Sequence, residues 1–431
     1  MTNHTHGCQI GSSAIYLRII LRISTPQQFN FNYYSMKLNY SLKALIFGAF
    51  ISSGICIATD VPPEPPADNS HGLRKVKDVV IYEDVRFYSA FPSVIKRPGG
   101  EFLVAFRRAP DRRIFGEKGN SHVDPNSYLV MVRSMDGETW TKEPGLIYAH
   151  QFGGSQDPCL LQLRDGTLIC TSYGWALVRP DGIPNLKKPY AEAGGSIFLG
   201  GYLVRSSDGG RTWQGPVYPA PLPEEIYYSA VGEKLPAYNR GALYEVKSGR
   251  ILWVVASSDS NKKTSAHLIF SDDKSLTWNY SAPVAVDEKV TFNEASVYET
   301  PQGDIVAFLR TANYDDIACI ARSTDGGRSF KWESMGFQGH PLQALRLPDN
   351  RVLLVYGYRH EPYGIRARVL NAECTDFATS SEIILRDDGG STDIGYPWAV
   401  LLDKKRVLVT YYFNKDNGTR HIAGTILEIT K

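Results

Sequence analysis

The feature that most limits what this chain can fold into is a 16-residue pattern that recurs six times. The copies are FPSVIKRPGGEFLVAF from Phe91, DPCLLQLRDGTLICTS from Asp157, RGALYEVKSGRILWVV from Arg240, EASVYETPQGDIVAFL from Glu294, HPLQALRLPDNRVLLV from His340 and YPWAVLLDKKRVLVTY from Tyr396. Each is an apolar run, a polar turn and a second apolar run. Short Val, Leu and Ile-rich runs hinged on turn residues read as β-hairpins buried on both faces. Self-similarity at this scale marks a repeat architecture, with insertions lying between the units and not within them. Composition agrees, since 25 Tyr, 18 Phe, 7 Trp and 38 Gly suit many short strands joined by glycine turns. A hydrophobic content of 43% supports a packed core and excludes wholesale disorder. Charge nearly cancels, 47 Lys and Arg against 45 Asp and Glu, with no basic cluster. That excludes a nucleic-acid binder, which needs a basic face to neutralise phosphates.

Each hairpin leads into a third strand, and four of these end in a second motif. It reads SMDGETW from Ser134, SSDGGRTW from Ser206, SDDKSLTW from Ser271 and STDGGRSF from Ser323, all approximating S-x-D-x-G-x-T-W. Asp in such a turn accepts backbone N–H bonds, Gly takes a positive φ, and the aromatic packs between neighbouring sheets. These turns are structural staples. They are Asp-box (BNR) motifs, and on them the chain resembles the sialidase superfamily over nearly all of residues 79–431. The resemblance implies an all-β, six-bladed β-propeller of four-stranded blades around a central channel. The ring would close where the terminal strand, residues 421–429, pairs with strands of the first unit.

In a propeller the innermost strands start at one mouth of the channel, so equivalent hairpin positions converge there. These are Phe91, Asp157, Arg240, Glu294, His340 and Tyr396, five of them polar or ionisable. Such a mixture reads as a site and not as repeat filler. The resemblance implies roles for some of them. Tyr396 matches the family's nucleophile and Glu294 the carboxylate that takes its proton. Asp124, in His122-Val-Asp-Pro, fits the acid/base, although an Asp-Pro turn is the plain alternative. His122 is the second choice of proton donor. The family grips a sugar carboxylate with three arginines. Arg310 matches one, Ala90 stands at the position of another, and Arg359, Arg366 and Arg368 all fit the third. Arg107 and Arg240 are candidates to compensate for Ala90, although Arg107 with Arg108 also reads as part of a solvated basic loop.

These residues lead to the expectation of a secreted exo-glycosidase that removes a terminal acidic sugar with retained configuration. Two alternatives stand beside it. One is a propeller glycosidase or lyase for uronic-acid or rhamnose-type polymers; the other is a non-catalytic carbohydrate-binding propeller. The expected partner is a glycan, not a nucleic acid. No metal-ligand spacing or nucleotide loop is present, so no cofactor is implied. Cys159, Cys170, Cys319 and Cys374 are scattered singly and read as buried thiols, with Cys159 and Cys170 close enough in one hairpin to face each other.

The amino terminus has its own logic. From Met36, two lysines precede an apolar stretch that ends in Cys56-Ile-Ala, a secretory signal over residues 36–58 that is too short for a membrane span. Residues 1–35 then read as an over-extended gene start, and residues 59–78 as a Pro-rich linker. The expected destination is secreted or periplasmic, with no membrane span once the signal is cleaved.

Overall fold

The computed structural model describes residues 72–193, 195–258, 263–416 and 418–430. The upstream extension, the signal, Cys8, Cys56 and most of the linker lie outside the described residues. Among the described residues no helix is long and apolar enough to cross a membrane.

Every repeat becomes the two inner strands of an antiparallel sheet, and six such sheets are the blades. Blade 1 comprises Phe87–Lys96, Phe102–Pro110, Tyr128–Ser134 and Gly145–Tyr148. Blade 2 has Cys159–Gln162, Leu168–Leu177, Ser196–Ser206 and Gln214–Val217, with Gly154–Ser155 and Glu192–Ala193 added at its edges. Blade 3 runs Tyr244–Glu245, Ile251–Ser258, Thr264–Ser271 and Asn279–Ala285; blade 4 runs Phe292–Glu299, Ile305–Thr311, Ile317–Ser323 and Lys331–Gln338. Blade 5 is Leu342–Arg346, Val352–Tyr358, Gly364–Leu370 and Glu382–Arg386. Blade 6 takes Gly395–Leu401, Arg406–Phe413 and His421–Ile429 from the carboxyl end, and its outermost strand, Leu73–Tyr82, from the amino end.

That last pairing closes the ring, with one correction. The strand that receives the terminal strand precedes the first hairpin and belongs to the last blade. It begins at Leu73, so ordered structure reaches six residues into the expected linker, residues 59–78. Leu73 is buried and packs against the core of blades 5 and 6, which explains why the strand starts there.

The second strands are buried on both faces, as their unbroken apolar runs require. Leu103 to Phe106 and Val352 to Tyr356 are fully buried. The Asp boxes act as staples. Asp136 Oδ1 accepts from the backbone of Glu138 and Thr139 at 2.8 and 2.7 Å, and Asp325 Oδ1 does the same for Arg328 and Ser329. The box aromatics fill the gaps between blades: Trp140 packs with Phe102, Leu402 and Leu408, Trp213 with Leu103 and Met131. The four described cysteines are buried and free.

The innermost strands depart from regular pairing where they meet the channel. Register shifts between Ala90 and Ser93, Phe292 and Ala295, and Gly395 and Trp398 mark β-bulges. Phe91 and Tyr396 sit at φ 59° and 54°, and Asp157 at 20°. A left-handed backbone at a bulky residue costs about 1–3 kcal/mol and persists only where its surroundings hold it. A bulge breaks the alternation of side chains and re-aims one of them. Blade 3 does the same without a bulge. Its expected hairpin shortens to Tyr244–Glu245 because Gly241, at φ 151°, presses against blade 4 where a Cβ would overlap the Ala295 carbonyl oxygen.

Candidate active site

Tyr396 stands at the centre of the convergent positions. Its Oη donates to Glu294 Oε1 at 2.5 Å, and Arg310 Nη1 donates both to Glu294 Oε2 at 2.8 Å and to Tyr396 Oη at 3.1 Å. The bulges of blades 4 and 6 deliver the first two residues; Arg310 comes from the second strand of blade 4. Burial by itself would raise the Glu294 carboxyl, but the Arg310 guanidinium, the Tyr396 hydrogen bond and the charge of Arg240 together outweigh it and hold the group ionised. Burial and the charge of Glu294 push the Tyr396 phenol well above its ordinary value. At rest the site therefore contains a neutral phenol hydrogen-bonded to a carboxylate, with a cation touching both. If the proton moves to Glu294, Arg310 is already in place to stabilise the phenolate.

Two further guanidinium groups flank the Tyr396 ring. Arg359 lies 5.3 Å from the ring centroid and Arg240 4.7 Å. Arg359 directly follows the second strand of blade 5, much as Arg310 closes that of blade 4, and of the three candidate arginines it is the one beside Tyr396. Arg366 is turned away, donating to the Pro362 carbonyl at 3.1 Å and stacking on Tyr358. Arg368 stacks on Phe337 and donates to Tyr356 Oη. Strand alternation over Gly364–Leu370 sends both to the blade faces.

Asp157 completes the inner ring. Tyr173 Oη donates to its Oδ2 at 2.9 Å. Burial and the nearby charge of Glu294, only partly offset by Arg240, push Asp157 up to about 6. An Asp raised in the folded state makes the native protein hold a proton that the unfolded chain, near 3.9, has lost. Stability therefore falls as pH rises between those values. Asp157→Asn is expected to raise stability by about 2 kcal/mol at pH 8 and to leave it nearly unchanged at pH 4, read by urea denaturation at both pH values.

Several expected ligands are placed differently. Asp124 is tied to Arg112 by two bonds of 2.6 and 2.7 Å and accepts from Asn126 N–H, and its side chain is 1% exposed. Against burial, these bonds hold it below the usual carboxylate range, so it is a poor proton donor. Arg107 is not part of a solvated loop. It is fully buried beneath the loop that carries His122, donating to the Ser121 carbonyl at 3.0 Å, so a substrate cannot reach it. Arg240 is likewise buried and donates to the carbonyls of Pro92 and Tyr396, supporting the floor of the site. His340 is buried and held neutral, at about 2, by burial and by Arg310 and Arg359; its nearest partner is Asp316, at 3.4 Å. Phe91 packs edge-on against Tyr396 at 4.7 Å.

The repeat pattern does not single out Tyr88, Tyr412 and Asp393, which form a network beside Phe91. A register comparison would have found Tyr412, because it pairs with Gly395 much as Arg107 pairs with Ala90. On the blade 2 and 3 side a cavity of about 240 Å³ opens onto Glu294, walled by Tyr173, Trp175, Phe198 and Tyr238. Among the described residues no cluster of His, Cys, Asp or Glu is placed to hold a metal ion.

A family model for the BNR repeat-like domain matches residues 188–409. The chain belongs to the BNR repeat-like family. This BNR repeat-like protein is 72% identical to a Dyadobacter fermentans protein of unknown function, over 83% of this chain and 99% of that one, with a TM-score of 0.82. A Trypanosoma rangeli sialidase, solved with 2,3-difluorosialic acid as a covalent intermediate, shares the fold at 12% identity and a TM-score of 0.56, over 83% of this chain. The BNR repeat-like protein spans 59% of that sialidase's length. A Penicillium chrysogenum α-L-arabinanase complexed with arabinobiose is 14% identical with a TM-score of 0.57, over 82% of this chain and 98% of that one. No curated protein sequence matches. The six-bladed propeller of the BNR repeat-like protein is thus a sialidase-like fold.

Proposed function

We propose that this protein is a secreted, retaining exo-glycosidase that removes a terminal acidic sugar from glycans. The observation that carries the reading is the 2.5 Å bond from Tyr396 to Glu294, with Arg310 touching both. A lectin has no use for a buried phenol whose proton is aimed at a carboxylate. The phenol attacks the anomeric carbon while Glu294 takes its proton, giving a glycosyl-enzyme that water then hydrolyses. A neutral nucleophile suits an anionic sugar, which would repel a carboxylate. Arg310 and Arg359 supply the cationic side of the pocket, and the aromatic cavity beside Glu294 offers ring faces to the rest of the sugar. A same-fold sialidase that forms a covalent intermediate supports the double displacement.

A second reading, a glycosidase or lyase for uronic-acid or rhamnose-type polymers, is favoured by one observation. Ala90, fully buried, leaves the first arginine position empty of charge. The test is a panel of fluorogenic α-sialosides, uronides and rhamnosides given to residues 61–431, with the released anomer followed by NMR. Sialoside release with retention is expected. An inverted product would rule out the Tyr396 intermediate, and cleavage of uronides or rhamnosides alone would install the second reading.

A further inference from the structure

With Asp124 locked to Arg112, the carboxylate expected to protonate the leaving group is tied up, and the network beside Phe91 contains another donor. His122 lies on the loop between the second and third strands of blade 1, with its side chain 54% exposed. Its ring packs edge-on against Phe91 at 5.3 Å, and Phe91 in turn packs against the Tyr396 ring at 4.7 Å. His122 Nε2 is 3.0 Å from Tyr88 Oη and 3.3 Å from Asp393 Oδ1. The loop is pinned from below, since Arg107 donates to the Ser121 carbonyl and Gln156 to the His122 carbonyl.

The bonds around Asp393 favour one tautomer. Tyr88 and Tyr412 donate to Asp393 Oδ1 at 2.9 and 3.0 Å, and Arg420 donates to Oδ2 at 2.9 Å. Tyr88 spends its proton on Asp393, so its oxygen and the carboxylate can only accept from the imidazole. Nε2 therefore carries the hydrogen, and the lone pair of the neutral ring is on Nδ1. Nδ1 has no protein partner among the described residues. Tyr412 also accepts from Arg359 Nη2 at 3.1 Å, so one hydrogen-bonded chain runs from an arginine beside the nucleophile to the histidine.

We propose that His122 is the acid/base of this site, acting through Nδ1, and that Asp393 is its positioning residue. This rests on the Tyr396–Glu294 reading and replaces Asp124 within it. In the first step the bond from C1 to the leaving oxygen breaks as Tyr396 Oη bonds C1. The phenol proton passes to Glu294, and an imidazolium proton passes from Nδ1 to the leaving oxygen. In the second, water attacks C1 and gives a proton to Nδ1 while the bond to Tyr396 breaks and the phenolate recovers its proton from Glu294.

The test compares two glycosides of whichever sugar the protein cleaves. One carries a methyl leaving group, which needs a proton, and the other a 2,4-dinitrophenyl group, which does not. His122→Asn is expected to lose at least about 100-fold in kcat/KM on the methyl glycoside and to stay within a few-fold of wild type on the dinitrophenyl one. His122 is half exposed, so the variant folds, and circular dichroism checks it. Tyr396→Phe loses both substrates. Equal losses on both by His122→Asn, or a leaving-group-dependent loss by Asp124→Asn instead, would overturn the assignment. A wild type inert across the sugar panel would be a different failure, removing the parent reading and this one with it.

Discussion

Tyr396→Phe is expected to cut turnover at least about 1,000-fold, equivalent to roughly 4 kcal/mol of barrier, on any glycoside the wild type cleaves, while binding changes by no more than a few-fold. The variant keeps the ring that packs against Phe91, Arg240 and Arg359, so the pocket retains its shape and its cations. Only the oxygen shared with Glu294 and Arg310 is lost. Steady-state kinetics beside calorimetric binding of the intact glycan separate the two quantities. A wild type and variant that bind equally and are both inert on the full panel would make the protein a carbohydrate-binding propeller.

Arg310→Met is expected to destabilise the fold by about 3–5 kcal/mol at neutral pH, because it leaves the Glu294 carboxylate buried and unpaired. The pH dependence gives the cause away. In the wild type Glu294 is held low by Arg310, so its contribution is present above the unfolded value and is lost as pH falls. In the variant burial is no longer opposed by Arg310 and the carboxyl rises. The native state then keeps a proton that the unfolded chain releases, so stability falls as pH rises. Denaturation at pH 4.5 and 7.5 should show the gap to wild type shrinking at the lower pH. A gap independent of pH would point to lost packing and not to a stranded charge.

Much of the fold was legible because it is periodic. Hairpins, turns and boxes recur with the spacing of the strands, and the terminal strand His421–Ile429 forms over the expected residues. Blade 3 shows where periodicity stops being enough. Its residues match the repeat, but Gly241 follows the neighbouring blade and not its own hairpin. At the site, Tyr396, Glu294 and Asp157 could be picked out because each opens a hairpin, and all three meet at the channel. Arg359 could not be told from Arg366 and Arg368, since a count along the chain does not say on which side of a blade an arginine emerges.

Blade number, hairpin order and the residues that open each blade follow from the amino-acid order alone, because they depend on local alternation and on turn chemistry repeated in phase. The tertiary structure alone decided which charges pair. Asp124 became the partner of Arg112, and Asp393, on the loop before the last blade, came to hold His122 from the first. Ion pairs and proton positions depend on distances of a few ångströms, set within one loop for Asp124 and Arg112 and only by closure of the ring for Asp393 and His122.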